Sequence, residues 1–154
     1  NTQRTIVYAP IRYGGCGFLH LYLLQGEGQI LTFLKHWRTK TDASQLLRIS
    51  VSWSQLHLGI GYCCFSNTKT LLPHMPGRWL KLLRLFLSHI DGSLELDTSF
   101  IPPKQPAGDS YLMDLVLQSA AYSDLEIQRI NYCRMYLNAI TVSDLCLADG
   151  ATLD

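Results

Sequence analysis

The chain has 154 residues, 47% of them apolar and 16% charged, with a formal net charge of +1. That length suits one domain with a sizeable core, and that apolar content excludes a disordered polyelectrolyte. Five cysteines, an odd number with an adjacent pair at Cys63 and Cys64 and no signal peptide, argue against a secreted disulfide framework and predict reduced, buried thiols in an intracellular protein.

The chain opens at Asn1 in mid-pattern and reads as an excerpt of a longer polypeptide. Residues 8–18, YAPIRYGGCGF, run as an extended, proline-containing lead-in to three glycines in four positions, where a turn needs backbone freedom. Beyond them Leu23, Ile30, Leu34 and Trp37 recur at helical intervals and predict a helix over 19–39. Gly26 and Gly28 leave a break open there, each costing about 1 kcal/mol relative to alanine. Asp42 with Gln45 has the form of a capping box for a second helix, whose apolar seam is Leu46, Ile49, Trp53, Leu56 and Ile60. Ile49, Val51 and Trp53 also alternate, so a strand competes, but the longer seam favours a helix.

Residues 59–77, GIGYCCFSNTKTLLPHMPG, read as a loop from their Gly, Pro and Asn content. RWLKLLRLFLSHI, 78–90, predicts a strong helix stopping at Asp91 and Gly92. SLELDTSF alternates and predicts a short extended piece or edge strand. IPPKQPAGDS is the clearest internal boundary. After it, YLMDLVLQSAA and DLEIQRINYCRMYLNAI predict a helical hairpin with Ser123 and Glu126 as the cap between its arms, and TVSDLCLADG adds a short helical turn. The fold expected is mainly α, a helical bundle with a Gly-rich N-terminal turn and one short extended segment. Three regions are expected: a basic helical region over 1–91, a Pro-rich linker over 92–108 and an acidic helical hairpin region over 109–154.

The charges divide along the same line. Up to Ile90 there are ten Lys/Arg and two acids, a balance of +8, and after it three Lys/Arg and ten acids, a balance of −7. Such asymmetry points to a polyanionic partner for the first part or to docking of one part on the other. Arg78, Lys81 and Arg84 form a basic stripe spaced by three, suited to phosphates, to a membrane surface or simply to solvent. Lys35, Arg38 and Lys40 form a second cluster, with His36 and Trp37 interleaved, suited to sugar–phosphate contact. The longest charge-free run, 49–68, holds three serines, a glutamine and a histidine before Gly59 and is too polar for a membrane span.

His57, Cys63, Cys64 and His74 fall close together, but adjacent cysteines with isolated histidines do not have structural-zinc spacing. No G-x-S-x-G, H-E-x-x-H or Walker loop is present. Gly26-x-Gly28 and Gly59-x-Gly61 lack the third glycine of a dinucleotide fold. Glu95 and Asp97 are expected to face solvent rather than to act as a catalytic pair.

YAPIRYGGCGF resembles the P-x-x-x-GG-x-G element that follows the palm in reverse transcriptases of non-LTR (LINE-like) retrotransposons and introduces their helical thumb. QILTFLKHWRT and LLRISVSWSQLHLG resemble the helices that come next, and LPHMPGRWLKLLRLFL and INYCRMYLNAITVSDL resemble the later helical region of such polyproteins. Pro10, Gly14, Gly15 and Gly17 match the element, with Cys16 standing where leucine is usual. The resemblance implies a non-catalytic thumb and post-thumb region that binds an RNA–DNA or RNA template–primer duplex alongside the rest of its polyprotein. It places the two Mg2+ ions in the palm, not in this chain, which has no Asp-Asp pair. Charge placement, rather than the motif, nominates Arg12, Lys35, Arg38, Lys40, Arg48, Arg78, Lys81 and Arg84 as nucleic-acid contacts. No catalytic residue, metal ligand or membrane partner is expected. The competing reading is a helical protein-interaction module whose basic part docks on its own acidic part or on an acidic partner.

Overall fold

The computed structural model describes residues 3–98, 100–104, 108–119 and 121–146. Among these the fold is mainly helical, with α1 (Arg4–Tyr8), α2 (Leu21–Arg38), α3 (Asp42–Leu58), α4 (Arg78–His89), α5 (Leu112–Gln118) and α6 (Asp124–Tyr136). The centre of the proline-rich boundary, 105–107, and the predicted last turn beyond Cys146 lie outside the described residues. No described helix is long and apolar enough to cross a membrane.

The glycine element folds back on what precedes it. Residues 4–8 form a short helix, and of the lead-in expected to be extended from Tyr8 to Tyr13 only Ala9 and Pro10 are. After a 3-10 turn over Ile11–Tyr13, Gly14 and Gly17 take positive φ. A β-carbon on Gly15 would stand 2.0 Å from the Ala9 carbonyl oxygen. The N–H groups of Cys16, Gly17 and Phe18 can then donate to the carbonyls of Ile6, Ala9 and Val7.

Helix α2 is unbroken and packs on α3 and α4. Gly26 does not interrupt it, because the Phe86 ring lies directly on the helix there. Around Phe33 an aromatic cluster forms with Trp37, Phe65 and Trp79. Helix α3 starts one residue earlier than the sequence signal suggests: Thr41 is the N-cap, its Oγ1 accepting from the Ser44 N–H, and Asp42 opens the helix.

The predicted seam of α3 is turned outward. Leu46, Ile49, Trp53 and Leu56 are 65, 62, 55 and 42% exposed, and only Ile60, beyond the helix, is buried. The packed face is instead Ser44, Val51, Ser54, Gln55 and Leu58. Gln55 decides this orientation. Its side chain donates to the Ile60 and Tyr62 carbonyls and accepts from the Cys64 N–H, so it must face the loop that follows.

That loop, 59–77, has no helix or strand yet supplies Ile60, Cys64, Phe65, Leu72 and Met75 to the core. Buried backbone polar groups need partners, and long polar side chains provide them. Arg84 donates to the carbonyls of Cys64, Asn67 and Thr70. The last four carbonyls of α3 are all accounted for: Gln55 by the Gly59 N–H, Leu56 and His57 by Arg134, and Leu58 by His74. Gly59, at φ 63°, both turns the chain and leaves room, since a β-carbon there would stand 2.7 Å from the Arg134 guanidinium carbon.

The segment after α4 alternates as expected but, among the described residues, forms no strand: Leu94 and Leu96 are half-buried between exposed Ser93, Glu95 and Asp97. Helices α5 and α6 pack together, and Ser123 with Glu126 makes a reciprocal capping box at the start of α6. Met113 and Ile127 enter the same core as Phe33 and Leu58, so the core spans both sides of the proline-rich segment. The Asp114 carboxylate accepts from the Gly61 N–H, and Tyr111 donates to the Pro102 carbonyl. An antiparallel bridge, Tyr111 with Thr141, ties α5 to a 3-10 turn over Val142–Leu145. All five cysteines are free thiols, but only Cys64 is buried, and Cys16 and Cys133 are exposed.

Candidate nucleic-acid interface

The end of α2 and the start of α3 bring one predicted cluster together. Lys35, Arg38 and Lys40 are all exposed. Two residues, Thr39 and Lys40, separate Arg38 from the Thr41 cap, so the corner is tight and its cations are close in sequence. Beside them opens a cleft of about 750 Å³ lined by Trp37, Arg38, Lys40, Arg48, Glu95 and Asp97, with Ser44 and Gln45 at the foot of α3.

Arg48 is a clasp in that cleft. Its guanidinium lies 4.3 Å over the Trp37 ring and donates to the Trp37 carbonyl at 2.8 Å and to Thr98 Oγ1 at 2.7 Å. Asp97 stands 3.7 Å from it and accepts from the Trp37 indole at 2.7 Å. The indole N–H, helped by Arg48, holds the Asp97 carboxyl below its ordinary value. This triangle fastens the extended segment to α2 and α3 and leaves Arg38 and Lys40 as the cleft's outward cations. Glu95 and Asp97 are exposed, as expected, but they also place two carboxylates in the cleft wall.

The Arg78 stripe does not hold together. A spacing of three on a helix of about 3.6 residues per turn drifts by about 60° at each step, so the stripe winds around α4. Arg78 is exposed, Lys81 is half-buried with its amine 3.3 Å from the Pro73 carbonyl, and Arg84 is 5% exposed with its guanidinium turned into the loop. Arg84 is therefore a structural residue rather than a nucleic-acid contact. Arg12 sits apart in the N-terminal turn, over the Tyr13 ring.

Sequence reasoning missed a second groove. Arg78 stands between α3 and the start of α4 at a space of about 420 Å³ walled by Ile49, Trp53, Trp79 and Leu80. Trp53 reads as part of an apolar seam from its spacing, and no local signal turns it outward. Among the described residues no group of three or more His, Cys, Asp or Glu side chains gathers as a metal set. His74 faces the Leu58 carbonyl, and the hydrogen bond from Cys64 lowers the half-buried Cys63 thiol to about 6, while Cys64, which shares that bond and is buried, is pushed up. No protein-family model matches the chain, and no curated protein or solved structure matches it either.

Proposed function

We propose that the chain is the non-catalytic thumb and post-thumb part of a retroelement reverse transcriptase, holding the sugar–phosphate backbone of a template–primer duplex. The observation that carries this reading is the exposed cluster of Lys35, Arg38 and Lys40 at the end of α2, where Arg38 and Lys40 line an open cleft. Such cations neutralise phosphates without reading sequence. The glycine turn, with Arg12 at its tip, supports the same reading through its resemblance to the element that leads out of a palm. The chain alone carries out no chemistry in this scheme, and the aspartates that bind metal belong to the palm. A mobility shift with an RNA–DNA hybrid tests the cluster: the triple variant Lys35→Gln, Arg38→Gln, Lys40→Gln binds at least about tenfold more weakly, three lost phosphate contacts being worth more than that. Equal affinity sinks the proposal. The retroelement assignment is tested separately by the parent reading frame, which must encode an aromatic-x-Asp-Asp motif upstream.

The interaction-module reading draws on one observation, the shared core across the charge boundary. The hairpin of α5 and α6 docks through Met113, Ile127 and Arg134, and the charge pairs that cross the boundary at Ile90 stop short of it. The two ion pairs among the described residues, Arg48 with Asp97 and Lys69 with Asp91, reach only the segment between α4 and the prolines.

A further inference from the structure

The outward seam of α3 has a symmetry of its own. Leu46, Ile49, Trp53 and Leu56 are spaced three, four and three, the a and d positions of two heptads. Leu46 and Leu56 are equally far from position 51, and so are Ile49 and Trp53. Laid antiparallel against an identical helix, the seam therefore meets itself in two repeated layers, Leu46 on Leu56 and Ile49 on Trp53. A helix of 17 residues is about 25 Å long, enough to seat all four layers.

Charge decides what covers it. The positions flanking the seam are Gln45 and Ser52 on one side and Ser50 and His57 on the other, none of them a fixed charge. Antiparallel pairing about position 51 brings Ser50 and Ser52 beside their own copies near the two-fold axis, with Gln45 and His57 towards the ends, so two copies meet no repulsion between fixed charges along the seam. Burial and the nearby Arg134 also favour neutral His57. Asp42 lies a full turn before Leu46, past the end of the pairing, and Arg48 is held away from the seam by Trp37 and Asp97. Two cations lie near the seam among the described residues: Arg78, at the rim of the groove beside Ile49 and Trp53, and Arg134, buried behind Leu56 and donating to its carbonyl. The small side chains of Ser50 and Ser52 let two helices approach closely.

We infer that two copies of this chain pair through α3 in antiparallel orientation, burying Leu46, Ile49, Trp53 and Leu56 at a two-fold interface. Leu46, Ile49, Trp53 and Leu56 themselves line no part of the basic cleft, which the seam borders at Gln45.

Sedimentation equilibrium on the whole 154-residue chain, without nucleic acid, tests it. The wild type self-associates to a dimer at micromolar concentrations. Ile49→Glu and Trp53→Glu each weaken the dimer by at least about a hundredfold, since each sets a charge in an apolar layer. Both variants keep the helical circular dichroism of the wild type, because these side chains are already exposed in the single chain. Tyr136→Glu, at a 90% exposed position on α6, leaves the dimer unchanged. Added salt leaves the dimer as tight or tightens it, by screening the two Arg78 side chains. A monomer at every concentration overturns the inference, and so does a dimer that survives both seam variants or dissociates with salt.

Discussion

At Gly26 the Phe86 ring lies where a β-carbon would stand, 2.1 Å from it, whereas nothing approaches Gly28 within 4 Å. Both glycines sit in α2, so helix propensity alone would favour alanine at either by about 1 kcal/mol. At Gly28 that gain is uncontested, and Gly28→Ala is expected to raise unfolding free energy by about 0.5–1 kcal/mol. At Gly26 the added methyl must displace a ring wedged between α2 and α4, and overpacking of that kind costs about 1–3 kcal/mol. Gly26→Ala is therefore expected to destabilise. Urea unfolding of the two variants separates the cases, and equal gains in both would show that Phe86 moves aside freely. Arg84 makes a similar contrast with the surface cations. Its loss leaves carbonyls of the 59–77 loop without their donor, at about 1–3 kcal/mol for each buried group. Arg84→Gln is expected to lower the melting temperature, while Arg38→Gln leaves it unchanged. A stable Arg84→Gln protein would return Arg84 to the surface stripe.

At the scale of elements, α3 shows what holds the molecule in register. Its C-terminal carbonyls carry the negative end of the helix dipole, and Arg134 from α6 donates to two of them and to the Ala139 carbonyl. Arg134→Met is expected to destabilise by about 1–3 kcal/mol for each buried carbonyl it leaves without a donor, and Arg134→Lys is expected not to restore the loss in full, because an ammonium lacks the planar fork. Thermal unfolding checks both, and full stability in either variant would mean that the docking of α6 rests on Ile127 and its neighbours alone. The helices themselves were legible in the sequence, since intervals in α2, α4 and α6 and the Ser123–Glu126 cap are local signals. The face that α3 buries was not. Apolar spacing favours Leu46, Ile49, Trp53 and Leu56, but Gln55 finds three backbone partners on the opposite side, and that requirement comes from the loop after the helix. Arg84 escaped for the same reason, its acceptors being 14 to 20 residues away. The Lys35–Lys40 cluster was legible because a helix end exposes consecutive charges whatever the tertiary packing.

On the scale of the whole molecule, pH and salt report on different parts. Burial holds His74 down to about 4 from an ordinary 6.5, and burial with the Arg134 charge lowers His57 as well. Between those two values the unfolded chain binds more protons than the folded one, so stability falls as pH drops from about 6.5 to about 4. One site lowered this far contributes of order 3 kcal/mol. Below that window the carboxylates take over: the hydrogen bond from Ser143 holds Asp109 at about 2, and its stabilisation is lost as pH falls from about 3.8 towards that value. Asp114, raised by burial, acts in the opposite sense just above the ordinary carboxylate value. His74→Gln, which keeps a donor for the Leu58 carbonyl, is expected to flatten the dependence in the histidine window, as read from urea midpoints. An unchanged slope would exclude His74 as its source. Salt reports on the basic cleft. The most direct measurement is a fluorescence-anisotropy titration of an RNA–DNA hybrid across a salt series, comparing the wild type with the Lys35→Gln, Arg38→Gln, Lys40→Gln variant. The account predicts that log affinity falls linearly with log salt and that the variant's slope is shallower by about 2–3, near 0.9 for each phosphate contact removed. Identical slopes, or no binding by the wild type at low salt, would contradict it.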